Sequence, residues 1–268
     1  PVRAEVLRTR HELLQARTLG ATGRFEEALT ETRRLIVEAD KIGWRPLAAL
    51  ARVGGARFAV DRSDLKSAEM WLDEAMVLAA ETGQDALLAD IATSMTDVVG
   101  IRLARLDEGL RWGKLALAMR TAQGDVDALR GTRTLSTMAM LRLERGELAE
   151  AEQLLERCLA VERRLAGPDS PGAAGALNNL GNVYRRSERY EDARIAYQRS
   201  LAAFERNFGP DHPNVALALA NLASTASWRG DLDEAERLSL RALAIRERTA
   251  GPEGLETARA QQALGAVY

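Results

Sequence analysis

The sequence predicts an all-α fold: a solenoid of antiparallel helix pairs, about six of them, with one further helix at the end. Three observations predict it. A short phrase recurs, as Gly-Arg-Phe-Glu-Glu-Ala at 23–28, Ser-Asp-Leu-Lys-Ser-Ala at 63–68, Ala-Arg-Leu-Asp-Glu-Gly at 104–109, Gly-Glu-Leu-Ala-Glu-Ala at 146–151, Glu-Arg-Tyr-Glu-Asp-Ala at 188–193 and Gly-Asp-Leu-Asp-Glu-Ala at 230–235. Its closing small residues are Ala28, Ala68, Gly109, Ala151, Ala193 and Ala235, spaced by 40, 41, 42, 42 and 42 residues, a period typical of stacked supersecondary units. Apolar residues fall at steps of three and four through Leu148, Ala151, Leu154, Leu155, Cys158, Leu159 and Val161, and again through Leu232, Ala235, Leu238, Ala242, Leu243 and Ile245. That spacing collects them on one face of a helix. Breakers keep the same step: Gly167-Pro168-Asp169-Ser170-Pro171 precedes Gly209-Pro210-Asp211-His212-Pro213 by 42 residues, and Gly251-Pro252 follows 42 later.

Each recurring phrase opens the second helix of a pair, and the stretch before it forms the first. First helices are expected near 3–20, 45–61, 85–103, 126–144, 172–187, 213–228 and 254–268. Second helices are expected near 24–41, 64–82, 106–122, 147–165, 190–207 and 231–249. Glycine ends a helix by tolerating positive φ, and proline cannot continue one. Ser170 and Asp211 stand where helix-starting caps belong, just before prolines suited to a first turn. No stretch alternates with β-branched enrichment, so no sheet is expected. A lone helical hairpin cannot bury both faces, so neighbours must stack on it. The repeats read approximately 1–42, 43–83, 84–124, 125–167, 168–209, 210–251 and a partial 252–268, forming one solenoid.

Composition narrows the function. The chain has 268 residues, 46% hydrophobic and 28% charged, which suits a folded core rather than disorder. A net charge of -2 provides no basic field for nucleic acid. Only three of the 37 basic residues are lysines (Lys41, Lys66, Lys114). One cysteine, Cys158, allows no internal disulfide and gives no sign of an oxidising compartment. No apolar run approaches the ~18 residues of a membrane span, and no charged-then-apolar leader opens the chain; a cytoplasmic location is expected.

The repeated unit resembles the tetratricopeptide repeat. The best copy is Leu177-Asn178-Asn179-Leu180-Gly181-Asn182-Val183-Tyr184 followed by Tyr190, Ala193, Tyr197 and Leu201. The next is Leu219-Ala220-Asn221-Leu222-Ala223 followed by Gly230, Leu232, Ala235 and Ala242. The long repeat and its Gly-Pro-Asp-His-Pro turn resemble the kinesin-light-chain type. The likeness is strong over 126–268 and looser over 1–125. The phrases Gly43-Trp44-Arg45-Pro46-Leu47-Ala48 and Val99–Trp112 are also similar to repeat regions of bacterial signalling proteins that follow a Ser/Thr kinase domain; no kinase motif is present here. By the 42-residue step Leu180 maps onto Leu264 and Tyr184 onto Tyr268. The chain thus stops inside a first helix, and Ala263, Leu264, Val267 and Tyr268 lack the polar outer face of a cap. A segment cut from a longer protein is expected, with self-association through the incomplete repeat as a further reading.

The resemblance implies a right-handed superhelix whose first helices line a concave groove that binds a protein or peptide. Helical spacing then assigns to that groove Arg133, Ser136, Thr137 and Met140, then Asn178, Asn179, Asn182, Arg185 and Arg186. Asn221, Ser224, Ser227 and Trp228 follow, with Arg259 and Gln262 last. Asparagine amides can donate to and accept from a peptide backbone, arginine can clamp a carboxylate, and tryptophan offers a large anchor. Asn179 and Asn221 are equivalent positions. They either hold a peptide or bond only to neighbouring repeats; the first reading expects their joint replacement by alanine to abolish partner capture while leaving thermal unfolding nearly unchanged. In the first half the same spacing brings Leu14, Val53, Met95, Val98 and Ile101 to the groove. Either that groove is apolar or the register there is one residue off.

No enzyme, cofactor or metal is expected. There is no phosphate-binding glycine loop, the only histidines, His11 and His212, are far apart in sequence, and no nucleophile–base set can be assembled. Cys158 occupies a small-residue packing position and reads as a buried thiol.

Overall fold

The computed structural model describes residues 2–21, 24–251 and 255–265, apart from the side chains of residues 21, 250, 255, 256, 259, 263 and 264. The described residues form thirteen α-helices and no strand. They run in pairs: α1 (Val2–Ala21) with α2 (Phe25–Ile42), α3 (Arg45–Asp61) with α4 (Leu65–Glu81), and α5 (Asp85–Met95) with α6 (Leu106–Ala122). Then come α7 (Leu129–Glu144) with α8 (Leu148–Leu165), α9 (Pro171–Arg186) with α10 (Tyr190–Phe208), α11 (Pro213–Trp228) with α12 (Leu232–Ala250), and the single α13 (Leu255–Gly265). The expected helix ends at 266–268, with the terminal Val267 and Tyr268, lie outside the described residues. The chain divides into two compact units, Pro1–Val126 and Asp127–Tyr268.

Within each unit every helix packs on its sequence neighbours, and first helices also reach the next first helix: α1 meets α3, and α7, α9, α11 and α13 meet in turn. The small residues of the repeated phrase explain how the pairs close. Ala28, Ala68, Ala151, Ala193 and Ala235 have no exposed surface, and Gly109 is buried.

The turn inside a pair is equally regular. The first N–H after it bonds a carbonyl five residues back, in Asp64→Ala59, Glu147→Arg142, Arg189→Tyr184 and Asp231→Ala226. One residue per turn takes positive φ: Ser63 at 61°, Gly146 at 79°, Glu188 at 59° and Gly230 at 80°. The third pair departs from this. Its α5 runs on into a π-helix over Thr96–Arg102, and Arg105 N–H bonds Val99, six residues back. A π-turn accommodates one extra residue in a helix, so helical spacing counted through this stretch slips by one. Met95 and Val98, candidates for an apolar groove, are core residues at 3% and 2% exposure. Of the other candidates, Leu14 is exposed, and Val53 and Ile101 are half-buried.

In the N-terminal unit Arg120 is fully buried, with Nη1 donating to Asp125 Oδ2 at 3.0 Å and Nη2 donating to Asp90. In the C-terminal unit three ties recur at the 42-residue step: Arg164 to the Asp127 carbonyl at 3.0 Å, Arg206 to the Asp169 carboxylate at 2.6 Å, and Arg248 to the Asp211 carboxylate at 2.5 Å. Ser170 caps α9 as expected, its hydroxyl accepting from Ala173 N at 3.1 Å. Asp211 is spent on Arg248 instead, and the cap of α11 is His212, whose Nδ1 accepts from Asn214 N at 3.1 Å. The His212 ring stacks on Phe208 at 4.3 Å, and burial lowers its pKa. Cys158 is buried, its thiol donating to the Thr132 carbonyl at 3.4 Å, and burial pushes its pKa up to about 12. Ser200, 42 residues on, donates in the same way to Ala174 O at 2.7 Å.

Candidate functional site

Gly181 organises the best-formed repeat. The Tyr197 ring lies directly on it, and a Cβ there would come within 2.4 Å of Tyr197 Cε1. Glycine is required because the ring itself is fully buried. Lying across α9, Tyr197 carries its hydroxyl to Asn182, donating to Oδ1 at 2.7 Å. Burial raises the Tyr197 pKa to about 12, although the Arg185 guanidinium pulls the other way. Asn182 is therefore engaged with the second helix of its own pair.

The two equivalent asparagines are engaged with the preceding first helix. Asn179 Nδ2 donates to Ser136 Oγ at 2.9 Å, tying α9 to α7. Asn221 Nδ2 donates to Asn178 Oδ1 at 2.9 Å, tying α11 to α9. Asn178 is buried at 4% exposure, so it acts as an anchor between helices. The bonds to neighbouring repeats left open by the sequence are thus formed, through the donor end of each amide. Among the described residues the Oδ1 atoms of Asn179 and Asn221 have no side-chain donor.

Around these amides Arg133 and Arg186 are exposed, while Thr137, Met140 and Ser224 are half-buried. Trp228, at the end of α11, is 67% exposed and stacks on Tyr190 with ring centroids 6.3 Å apart and planes 8° from parallel. It sits at helix ends, beside the turns. The Arg259 side chain lies outside the described residues; its helix α13 packs on α11. Tyr197 belongs to the repeat pattern, but its hydroxyl contact was not foreseen. The signal for it is the pairing of a bare glycine with a large ring 16 residues later. Among the described residues no cluster of histidine, cysteine and carboxylate side chains could hold a metal, and no helix is long and apolar enough to cross a membrane.

The tetratricopeptide-repeat family model matches residues 132–206, 172–227 and 215–268, which together span just over half of the sequence. The chain belongs to the tetratricopeptide-repeat family. The match starts in α7 and leaves the N-terminal unit, with its π-helix, outside it. No curated protein matches the sequence.

Solved structures share the tetratricopeptide-repeat fold at low identity. BtubC from P. vanneervenii superposes with a TM-score of 0.63 at 22% identity, covering 91% of this chain and 92% of its own. NprR in complex with its cognate peptide NprX gives 0.67 at 18%, covering 97% and 71%. Rap complexed with competence and sporulation factor gives 0.65 at 12%, covering 98% and 87%.

Proposed function

We infer that this tetratricopeptide-repeat chain is a non-catalytic protein-interaction scaffold whose C-terminal unit holds an extended peptide along the first helices α7, α9 and α11. The observation that carries this reading is the pair of amide oxygens of Asn179 and Asn221, fixed at equivalent places on successive helices by the bonds their nitrogens make. A carbonyl oxygen so positioned accepts from a peptide N–H without reading its side chain. Exposed Arg133 and Arg186 supply forked donors for carboxylates of the ligand, and Ser224 and Thr137 add shorter contacts. The stacked Trp228–Tyr190 pair offers an apolar edge with polar tips. NprR in complex with its cognate peptide NprX supports the reading, as a protein of this fold solved with a peptide, and Rap of the same fold is solved with competence and sporulation factor.

Alanine at Asn179 or Asn221 is a poor test, since each change also removes an inter-helix hydrogen bond worth about 0.5–1.5 kcal/mol. Arg186→Glu and Ser224→Trp change the face and not those bonds. Peptides selected from a random display library against the intact chain should lose about tenfold or more in affinity, roughly 1.4 kcal/mol, on either variant. Selected peptides that bind both variants as tightly as the parent would remove the assignment. A sensing role toward an attached signalling domain is a second reading, favoured by the phrases at 43–48 and 99–112.

A further inference from the structure

A second recess lies on the opposite side of α9. It is a cleft of about 460 Å³ between the second helices α8 and α10, floored by Leu177, Leu180 and Tyr184 of α9. Those three follow one another by three and four residues, as do Asn179, Asn182 and Arg186. The two rows are offset by two residues, which on an α-helix is close to opposite faces. The cleft is therefore separate from the first-helix face. Leu159 and Ile195 form its apolar walls, and Ile195 is 45% exposed.

The repeat register shows what is unusual about its rim. Across the next pair of second helices, α10 and α12, Glu205 accepts from Arg241 Nη2 at 2.5 Å. Forty-two residues earlier, Glu205 becomes Arg163 and Arg241 becomes Arg199, and both line the cleft. The carboxylate that closes one gap is replaced by a second guanidinium in the other. Neither Arg163 nor Arg199 has a hydrogen-bond or ion-pair partner among the described residues, and both are exposed. The other end of the cleft is acidic, with Glu156 and Asp192, but Asp192 is already paired to Arg189 at 2.8 Å. The rim is thus specific: two like charges at the position where the next repeat sets one carboxylate against an arginine, beside the exposed Ile195 and the half-buried Tyr184 ring.

We propose that this cleft is a second binding site for a protein segment carrying an Asp or Glu one helical turn from a bulky aliphatic residue. The carboxylate takes the place that Glu205 holds in the following repeat and accepts from Arg163 and Arg199. A guanidinium fork can pair bidentately with a carboxylate, and such charge-assisted bonds are about twice as strong as neutral ones. The aliphatic side chain packs on Ile195 and the Tyr184 ring, above the buried Leu180. A segment binding here leaves the first-helix face open, so the two sites can be filled together.

The test uses the intact chain and a blocked helical peptide bearing Glu and Leu at i and i+4, with a Gln–Leu peptide as its control. Methyl NMR should show shifts at Ile195 and Leu180 on adding the Glu peptide, and at least about tenfold weaker binding of the Gln peptide. Arg163→Glu recreates the Glu–Arg pair of the next repeat, so it should fold, keep its melting temperature and lose binding about tenfold or more. Arg199→Gln should weaken binding in the same direction without the new pair. Arg186→Glu should leave binding intact, which separates this site from the first-helix face. Absence of methyl shifts at millimolar peptide, equal affinity for the Gln peptide, or full binding by Arg163→Glu would each overturn the proposal.

Discussion

At the scale of single residues, the best-formed pair trades size across its helices. Where α9 has Gly181, its partner brings Tyr197; the equivalent residues are Ala223 and Ser239 one repeat later, and Ala139 and Leu155 one repeat earlier. The glycine is set by an aromatic ring resting on the backbone, not by turn geometry. A methyl group placed under a ring that has no free surface must displace it, and overpacking of this kind costs about 1–3 kcal/mol. Gly181→Ala should lower the denaturation midpoint accordingly in urea, while Ala223, beside a serine, should accept Gly with a smaller loss. Equal effects at both sites would show that the ring contact is not what selects glycine. The asparagine pair shows the limit of what one residue type reveals. An amide carries both donors and acceptors, so Asn179 and Asn221 fit a peptide and a neighbouring helix equally well on paper. The positions of Ser136 and Asn178, one repeat back, decide which end of the amide is used.

At the scale of elements, the second helices were legible because each opens on the same six-residue phrase and ends at a glycine. Their limits agree with the structure to within about two residues. The π-helix at Thr96–Arg102 was not legible, since no residue in it differs in kind from those of an ordinary helix. Its trace is Val98, which the regular spacing brings to the groove and the structure buries at 2% exposure. The intra-pair turn supplies a prediction. Its left-handed position is glycine in two repeats, at Gly146 and Gly230, and Glu188 at 59° in the repeat between them. A side chain in that conformation costs roughly 1–2 kcal/mol, from which the extra freedom of glycine in the unfolded chain subtracts about 0.5–1. Glu188→Gly should therefore raise stability by about 0.5 kcal/mol, readable as a higher melting temperature. A lower one would mean that Glu188 makes a compensating contact.

At the scale of the whole molecule, charge pairing sets the response to acid. Hydrogen bonds from Arg8, Arg157, Arg142 and Arg194 hold the carboxyls of Glu38, Asp127, Glu147 and Glu191 below the usual range. These groups bind protons less readily folded than unfolded. Their stabilisation is complete above the ordinary carboxylate values of about 4–4.5 and is lost as pH falls through the lowered native ones. His212, lowered by burial, adds a loss of the same sign that begins below about pH 6.5. Thermal melts should thus be flat near neutrality, fall shallowly below about pH 6.5, and fall further below about pH 4.5, the second limb shrinking as salt screens these exposed pairs. His212→Asn keeps a capping side chain and should erase the shallow limb alone; a melting temperature that rises on acidification would contradict the pairing scheme.

The division into two units has a practical consequence for anyone tethering or tagging the molecule. Lys41, Lys66 and Lys114 are all exposed, and all lie before Val126; the unit from Asp127 onward has no ε-amine at all. Reagents that modify primary amines, whether for immobilisation, biotinylation or isotope coding, act only on the first half. Both proposed docking faces come through such handling chemically untouched.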